Sequence, residues 1–97
     1  MCFTALDSCS VERFQDDDAG YRTWLYANMS GYVVNALRGP NLGVPILHRA
    51  TCETITPTPD KAWTAEYIKV CSTDRFELEG WAREHNQRLH PCEFCNP

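Results

Sequence analysis

The chain has 97 residues, enough for one domain built around one small core. Hydrophobic residues make up 43% and charged residues 23%, which excludes pervasive disorder and collagen-like repetition. A net charge of −4 argues against a strongly basic nucleic-acid-binding surface. No apolar run reaches the ~18 residues of a membrane span, and no basic segment followed by an apolar core opens the sequence, so a cytoplasmic domain without membrane association is expected.

Residues 1–13 are weakly patterned and read as an arm or an edge strand. Asp16, Asp17 and Asp18 then belong at a helix N-terminus, where acidic side chains cap free N–H groups and meet the positive end of the dipole. That helix carries Tyr21, Trp24 and Leu25 on one face, with Phe14 just before it, and Gly31 is its expected stop. The same aspartates with Glu12 also suggest a nuclease-like carboxylate cluster, but the lysine and spacing such sites use are missing nearby. Residues 32–37 are rich in β-formers and read as a strand, residues 38–43 as a turn, and residues 44–47 as the returning strand, begun by Pro45. A short helical turn is expected over residues 50–55. The two prolines of residues 56–60 impose a surface loop.

Residues 66–71 give a third strand, with Tyr67, Lys69 and Cys71 alternating against Ile68 and Val70. Ser72, Thr73 or Asp74 can cap a second helix, with Asp74 and Glu77 at capping-box spacing, and its stripe is Leu78, Trp81, Ala82, His85 and Leu89. Gly80 weakens that helix by about 1 kcal/mol relative to alanine. The expected architecture is α+β: one domain over residues 1–97, with a small antiparallel sheet of about three strands, two helices on one face, and a metal knuckle closing the C-terminal end.

The unusual feature is six cysteines (Cys2, Cys9, Cys52, Cys71, Cys92, Cys95) beside three histidines (His48, His85, His90). With no signal for export, such a count points to metal or redox chemistry rather than a disulfide framework. Cys92-Glu93-Phe94-Cys95 is a CxxC pair, which offers two thiolates from one tight turn. His48-Arg49-Ala50-Thr51-Cys52 is an HxxxC pair, whose side chains share a face if the segment is one helical turn. Together they supply the four soft or borderline donors that Zn²⁺ takes in a tetrahedron. Iron–sulfur or redox use is the alternative, but Asn96 and Pro97 after Cys95 open no helix to lower its pKa. Cys71 and His90 are additional or alternative ligands, with burial the plainer reading of the first and a surface position that of the second. His85 reads as a packed side chain on the helix stripe, and Cys2 and Cys9 as free thiols.

The HxxxC pair followed by Pro91-Cys92-Glu93-Phe94-Cys95-Asn96-Pro97 resembles the metal-binding domain of the Ada-type DNA-repair proteins over residues 47–97. That family joins a CxxxC to a Pro-Cys-x-x-Cys-x-Pro; versions with histidine first look like those appended to bacterial nucleases. The resemblance implies a Zn²⁺ held by His48, Cys52, Cys92 and Cys95. In the repair proteins the first cysteine accepts the methyl group. Here that position is His48, and a zinc-bound imidazole is not an activated thiolate, so methyl transfer does not carry over. The N-terminal half, with Asp17-Asp18-Ala19-Gly20-Tyr21 and Gly31-Tyr32-Val33-Val34-Asn35, looks like a segment of small bacterial proteins, some accompanying restriction-type nucleases.

The expected function is a zinc-stabilised module associated with nucleic acid in a bacterial repair, restriction or defence setting. Arg49, Lys61, Lys69, Arg83 and Arg88 are the candidate phosphate contacts, and Trp63, Tyr67 and Phe94 the candidate stacking rings. The acidic balance makes any DNA affinity weak and salt-dependent. The alternative is an accessory subunit that binds a protein, such as a nuclease. Catalysis is disfavoured, because four donors close the metal shell and no Ser-His-Asp order, phosphate loop or HExxH helix is present.

Overall fold

The computed structural model describes residues 11–39 and 43–97. Cys2, Cys9, most of the expected arm and the centre of the turn after the first β-rich run lie outside the described residues. In chain order the elements are β1 (Glu12–Phe14), α1 (Asp18–Ala27), β2 (Tyr32–Leu37), β3 (Ile46–Arg49), a 3₁₀ turn (Glu53–Ile55), β4 (Tyr67–Ser72), α2 (Arg75–Glu84) and β5 (His90–Pro91).

The fold is α+β, but its sheet has five strands where about three are expected, in the order β1-β4-β2-β3-β5. β4 and β2 form its antiparallel centre, with Val33 opposite Cys71 and Asn35 opposite Lys69. β1 adds an antiparallel edge, and β5 pairs parallel to β3, making the sheet mixed. Both edge strands are too short to carry a readable alternation, at three and two residues.

The helices also lie on opposite faces rather than on one. Phe14, Tyr21, Trp24, Leu25, Val33 and Cys71 form one core, under α1. Val34, Ala36, Leu47, Ile68, Val70 and Leu78 form the other, under α2. The reason is topological. β1–α1–β2 and β4–α2–β5 both join parallel strands and run the same way across the sheet, but they start from strands of opposite direction. Two crossovers of the same hand must then place their helices on opposite faces. Burial on both faces explains why Ile68 to Ser72 is buried without interruption.

Local chemistry sets the helix starts. Asp17 caps α1 by accepting from Gly20 N at 2.9 Å, and Asp74 caps α2 by accepting from Phe76 N at 2.9 Å. Gly31 is not the stop of α1, which ends at Ala27 with Asn28 as cap. Gly31 is required instead by close approach: a Cβ there would meet the Trp24 ring at 2.9 Å and Ser72 O at 3.0 Å. The stripe of α2 holds for buried Leu78 and Ala82 and half-buried Trp81, whereas His85 is exposed and caps the C-terminus.

The three aspartates do three different jobs. Asp16 pairs with Arg38 at 2.8 Å and Asp17 caps α1. Asp18 clasps the long β3–β4 connection, accepting from Trp63 N and Thr64 N at 2.9 Å each and from Thr64 Oγ1 at 2.6 Å. Those bonds, the Thr64 hydroxyl first, hold its carboxyl below the usual range despite some burial. Asp18→Ala is expected to lower unfolding stability by about 1–3 kcal/mol in urea titration, with Asp18→Asn intermediate; an unchanged midpoint for the alanine variant would show that the clasp contributes nothing.

Candidate metal centre

His48 lies on β3 with its side chain on the α1 face, opposite Val33. It is therefore on a strand, and the expected helical turn joining it to Cys52 does not form. A tight turn brings Cys52 back instead: Ala50 N donates to Gly31 O at 2.9 Å and Cys52 N to Arg49 O at 3.0 Å. The 3₁₀ turn that follows is held by Tyr21, whose hydroxyl donates to Ile55 O at 2.6 Å.

β5 delivers the second pair. His90 N donates to Pro45 O and Cys92 N to Leu47 O, each at 2.9 Å, so the chain enters the CxxC segment alongside β3. The segment closes on itself through Asn96 N, which donates to Cys92 O at 3.0 Å, with Asn96 at φ +48°. Asparagine is among the few residues that tolerate this left-handed conformation.

Two pairs 40 residues apart thus converge. One donor atom from each of His48, Cys52, Cys92 and Cys95 lies within 4.8 Å of the other three, a group that can hold a metal ion such as zinc. His48, Cys52 and Cys92 are buried and Cys95 partly so. The Cys52 and Cys92 sulfurs stand 3.8 Å apart, and a tetrahedron of ~2.3 Å zinc–sulfur bonds has edges of about 3.8 Å. The cysteines among the described residues form no disulfide.

The surroundings suit anionic sulfurs and a neutral imidazole. Arg49 N donates to Cys95 Sγ at 3.2 Å and Phe94 N to Cys92 Sγ at 3.3 Å. The Arg49 guanidinium reaches around the same turn, donating to Cys95 O and Asn96 O at 3.0 Å each. Burial, aided by the Lys69 charge, holds His48 down to about 4, leaving the ring free to ligate at neutral pH. Burial would raise the Cys92 thiol, but the N–H groups of Cys95 and Phe94 bring it below its ordinary value. Cys95 is pushed up, first by burial and then by the sulfurs of Cys52 and Cys92, against the Arg49 N–H. Three sulfurs this close repel when ionised together, and a bound cation removes that repulsion.

Thr54 was not legible as a site residue. Its hydroxyl lies 3.0 Å from Cys52 Sγ and 3.3 Å from His48 Nδ1, bridging two of the four donors. The only hint in the sequence is a hydroxyl two positions beyond a cysteine.

The other candidates are placed elsewhere. Cys71 and His90 lie outside the four-donor group. Cys71 is fully buried on β4 with its thiol pushed up by burial, and His90 is exposed on β5. The five cations do not form one surface. Lys69 is only 3% exposed and donates to Trp63 O at 2.5 Å, so it is not the exposed phosphate contact expected of it. The reason is that its face of β4 is covered by α1 and the β3–β4 connection. Lys61 sits over the Trp63 ring at 4.5 Å, and Arg83 and Arg88 line a separate cleft beside α2. The Glu12–Asp16–Asp18 carboxylates gather no metal-binding group among the described residues.

Replacing the Thr54 hydroxyl by a methyl in Thr54→Val is expected to weaken metal affinity about 10- to 100-fold in competition with a chromophoric chelator. Cys71→Ala should bind the metal as wild type does; a loss of stoichiometry there would place Cys71 in the shell after all. Comparisons with protein-family models, with curated proteins and with solved structures find no match to this chain, so its chemistry rests on the geometry above.

Proposed function

We propose that this chain is a zinc-binding domain whose metal is structural, and that it serves as a binding module rather than an enzyme. The convergence of His48, Cys52, Cys92 and Cys95 carries this reading. Thiolate-rich N/S sets select zinc over hard cations, and four protein donors leave no position for water or substrate. Three thiolates with Zn²⁺ leave a net charge of −1 on the centre, which the backbone N–H groups and Arg49 offset.

Two partners are open, and the surface supports a protein better than a nucleic acid. Phe94, at the tip of the knuckle, is 82% exposed, and Val44 beside it is 61% exposed. They flank a largely apolar groove of about 660 Å³ with Ile46 and Pro91. The nucleic-acid reading keeps the support of the Ada-type resemblance and of Arg49 beside the knuckle. Against it stand the dispersed cations, the burial of Lys69 and the net charge of −4.

The purified protein should carry one zinc per chain, by elemental analysis, and lose cooperative melting and native circular dichroism when a strong chelator removes it. Cys95→Ser should reduce metal content while Cys71→Ala does not. A full-length chain that melts identically with and without chelator overturns the structural-metal reading. Mobility shifts with single- and double-stranded DNA at ~50 mM salt are expected to show no retention; retention there moves the partner to nucleic acid.

A further inference from the structure

Lys69 is a lysine the fold has little structural reason to bury. A cation removed from water needs an ion partner or a full set of acceptors, since its desolvation otherwise costs several kcal/mol. The described residues form two ion pairs, Arg38–Asp16 and Arg75–Glu79, and neither includes Lys69. Asp18, whose charge acts on Lys69, has both carboxylate oxygens engaged by Trp63 and Thr64. The ammonium donates to Trp63 O and faces the Tyr21 and Trp63 rings at 5.8 and 5.9 Å. A lysine has three donors, so one carbonyl does not satisfy it.

Lys69 also lines a cavity. Between the α1 face of the sheet and the β3–β4 connection lies a cleft of about 400 Å³, within the size range of small-molecule sites. Asn35 stands directly opposite Lys69 across the β2–β4 ladder, which places both side chains on the same face of the sheet, and both line the cleft. Ile46, Ile55 and Trp63 form apolar walls, and Trp63 Nε1 is anchored to Thr58 O at 3.2 Å. Lys61 adds a second positive charge above that ring, while Glu66 at the lining opposes a dianion.

We infer that this cleft binds a small planar monocarboxylate, its carboxylate accepting from the Lys69 ammonium and the Asn35 amide and its flat body lying against Trp63. The ligand supplies the counter-charge and acceptors that the fold withholds from Lys69. The site shares the His48 and Thr54 side of the cleft with the metal centre but takes no donor from it, and it stands whether or not the metal is zinc.

The test uses the full chain as purified, titrated with benzoate and followed by calorimetry and by ¹H–¹⁵N spectra. Benzoate is expected to shift the Trp63 indole and Asn35 side-chain amide signals, and benzamide, equal in shape but neutral, to leave them in place. Lys69→Met should weaken benzoate binding about 10- to 100-fold, the loss expected for a charge-assisted hydrogen bond. Asn35→Leu, which keeps the lysine, should weaken it less and covers the case in which the methionine variant folds poorly. The assignment is overturned if benzoate moves neither signal, if benzamide binds equally well, or if inorganic phosphate binds the cleft and benzoate does not.

Discussion

The constraint that joins the most distant parts of this chain is the gathering of three sulfurs and an imidazole, three of the four buried, into one group. Two donors come from the end of a strand and its following turn, two from a knuckle entered through a two-residue strand. Neither half is self-supporting. β5 is far shorter than a strand that persists alone, and the turn from Arg49 to Cys52 leans on distant partners, Ala50 N on Gly31 O and Arg49 on Cys95 and Asn96. A cation bound among these donors would tie both halves to β3, alongside the backbone bonds of β5. Without such an ion, sulfurs ionised together at this distance would repel one another.

The sheet explains why that cross-link matters. With helices on opposite faces, a chain of this length splits its apolar residues between two small cores instead of filling one. Each core is too small to be robust, and small domains commonly rely on a metal or disulfides for this reason. Cys52 and Cys92 sit within the α1-side core, so the metal site is part of the packing and not an appendage. The β3–β4 connection is fastened at both ends of this layer, by Tyr21 to Ile55 and by Asp18 to Trp63 and Thr64.

Much of this was legible because side-chain chemistry is local. The three longer strands, the acidic helix starts, and the HxxxC and CxxC pairs taken singly each follow from residues within a few positions of one another, and the joining of the two pairs follows from the four donors a tetrahedral metal takes. What was not legible depends on the path of the chain through space. β1 and β5 are too short for a period, and the opposite placement of the helices needs the strand order and the common hand of the crossovers. Lys69 shows the difference most directly. As a candidate phosphate contact it is expected at the surface, but on a sheet covered on both sides there is no solvent face in the middle. His48 shows it in reverse: its pairing with Cys52 is right, although the helical turn that suggested the pairing is replaced by a strand and a tight turn.

The buried lysine and the metal centre then have a common origin. The β3–β4 connection must cross the α1 face to join strands two positions apart, and its ends are fixed at Ile55 and at Trp63–Thr64. Between those anchors it adds no strand to the sheet: Pro57 and Pro59 lack ladder donors, and the chain turns at Pro59 and Asp60. The space left beneath is lined by whatever β2, β3 and β4 present on that face, namely Asn35, His48 and Lys69. Asn35 and Lys69 are polar, Lys69 holding the connection by a single bond to Trp63 O, and His48 belongs to the four-donor group. A purely structural layer would be expected to fill such a gap with aliphatic side chains, as the α2 face does with Val34, Ala36 and Val70. The asymmetry between the two faces is therefore chemical: the α2 face is packed with aliphatic side chains, and the α1 face carries polar ones around the four-donor group and the cleft.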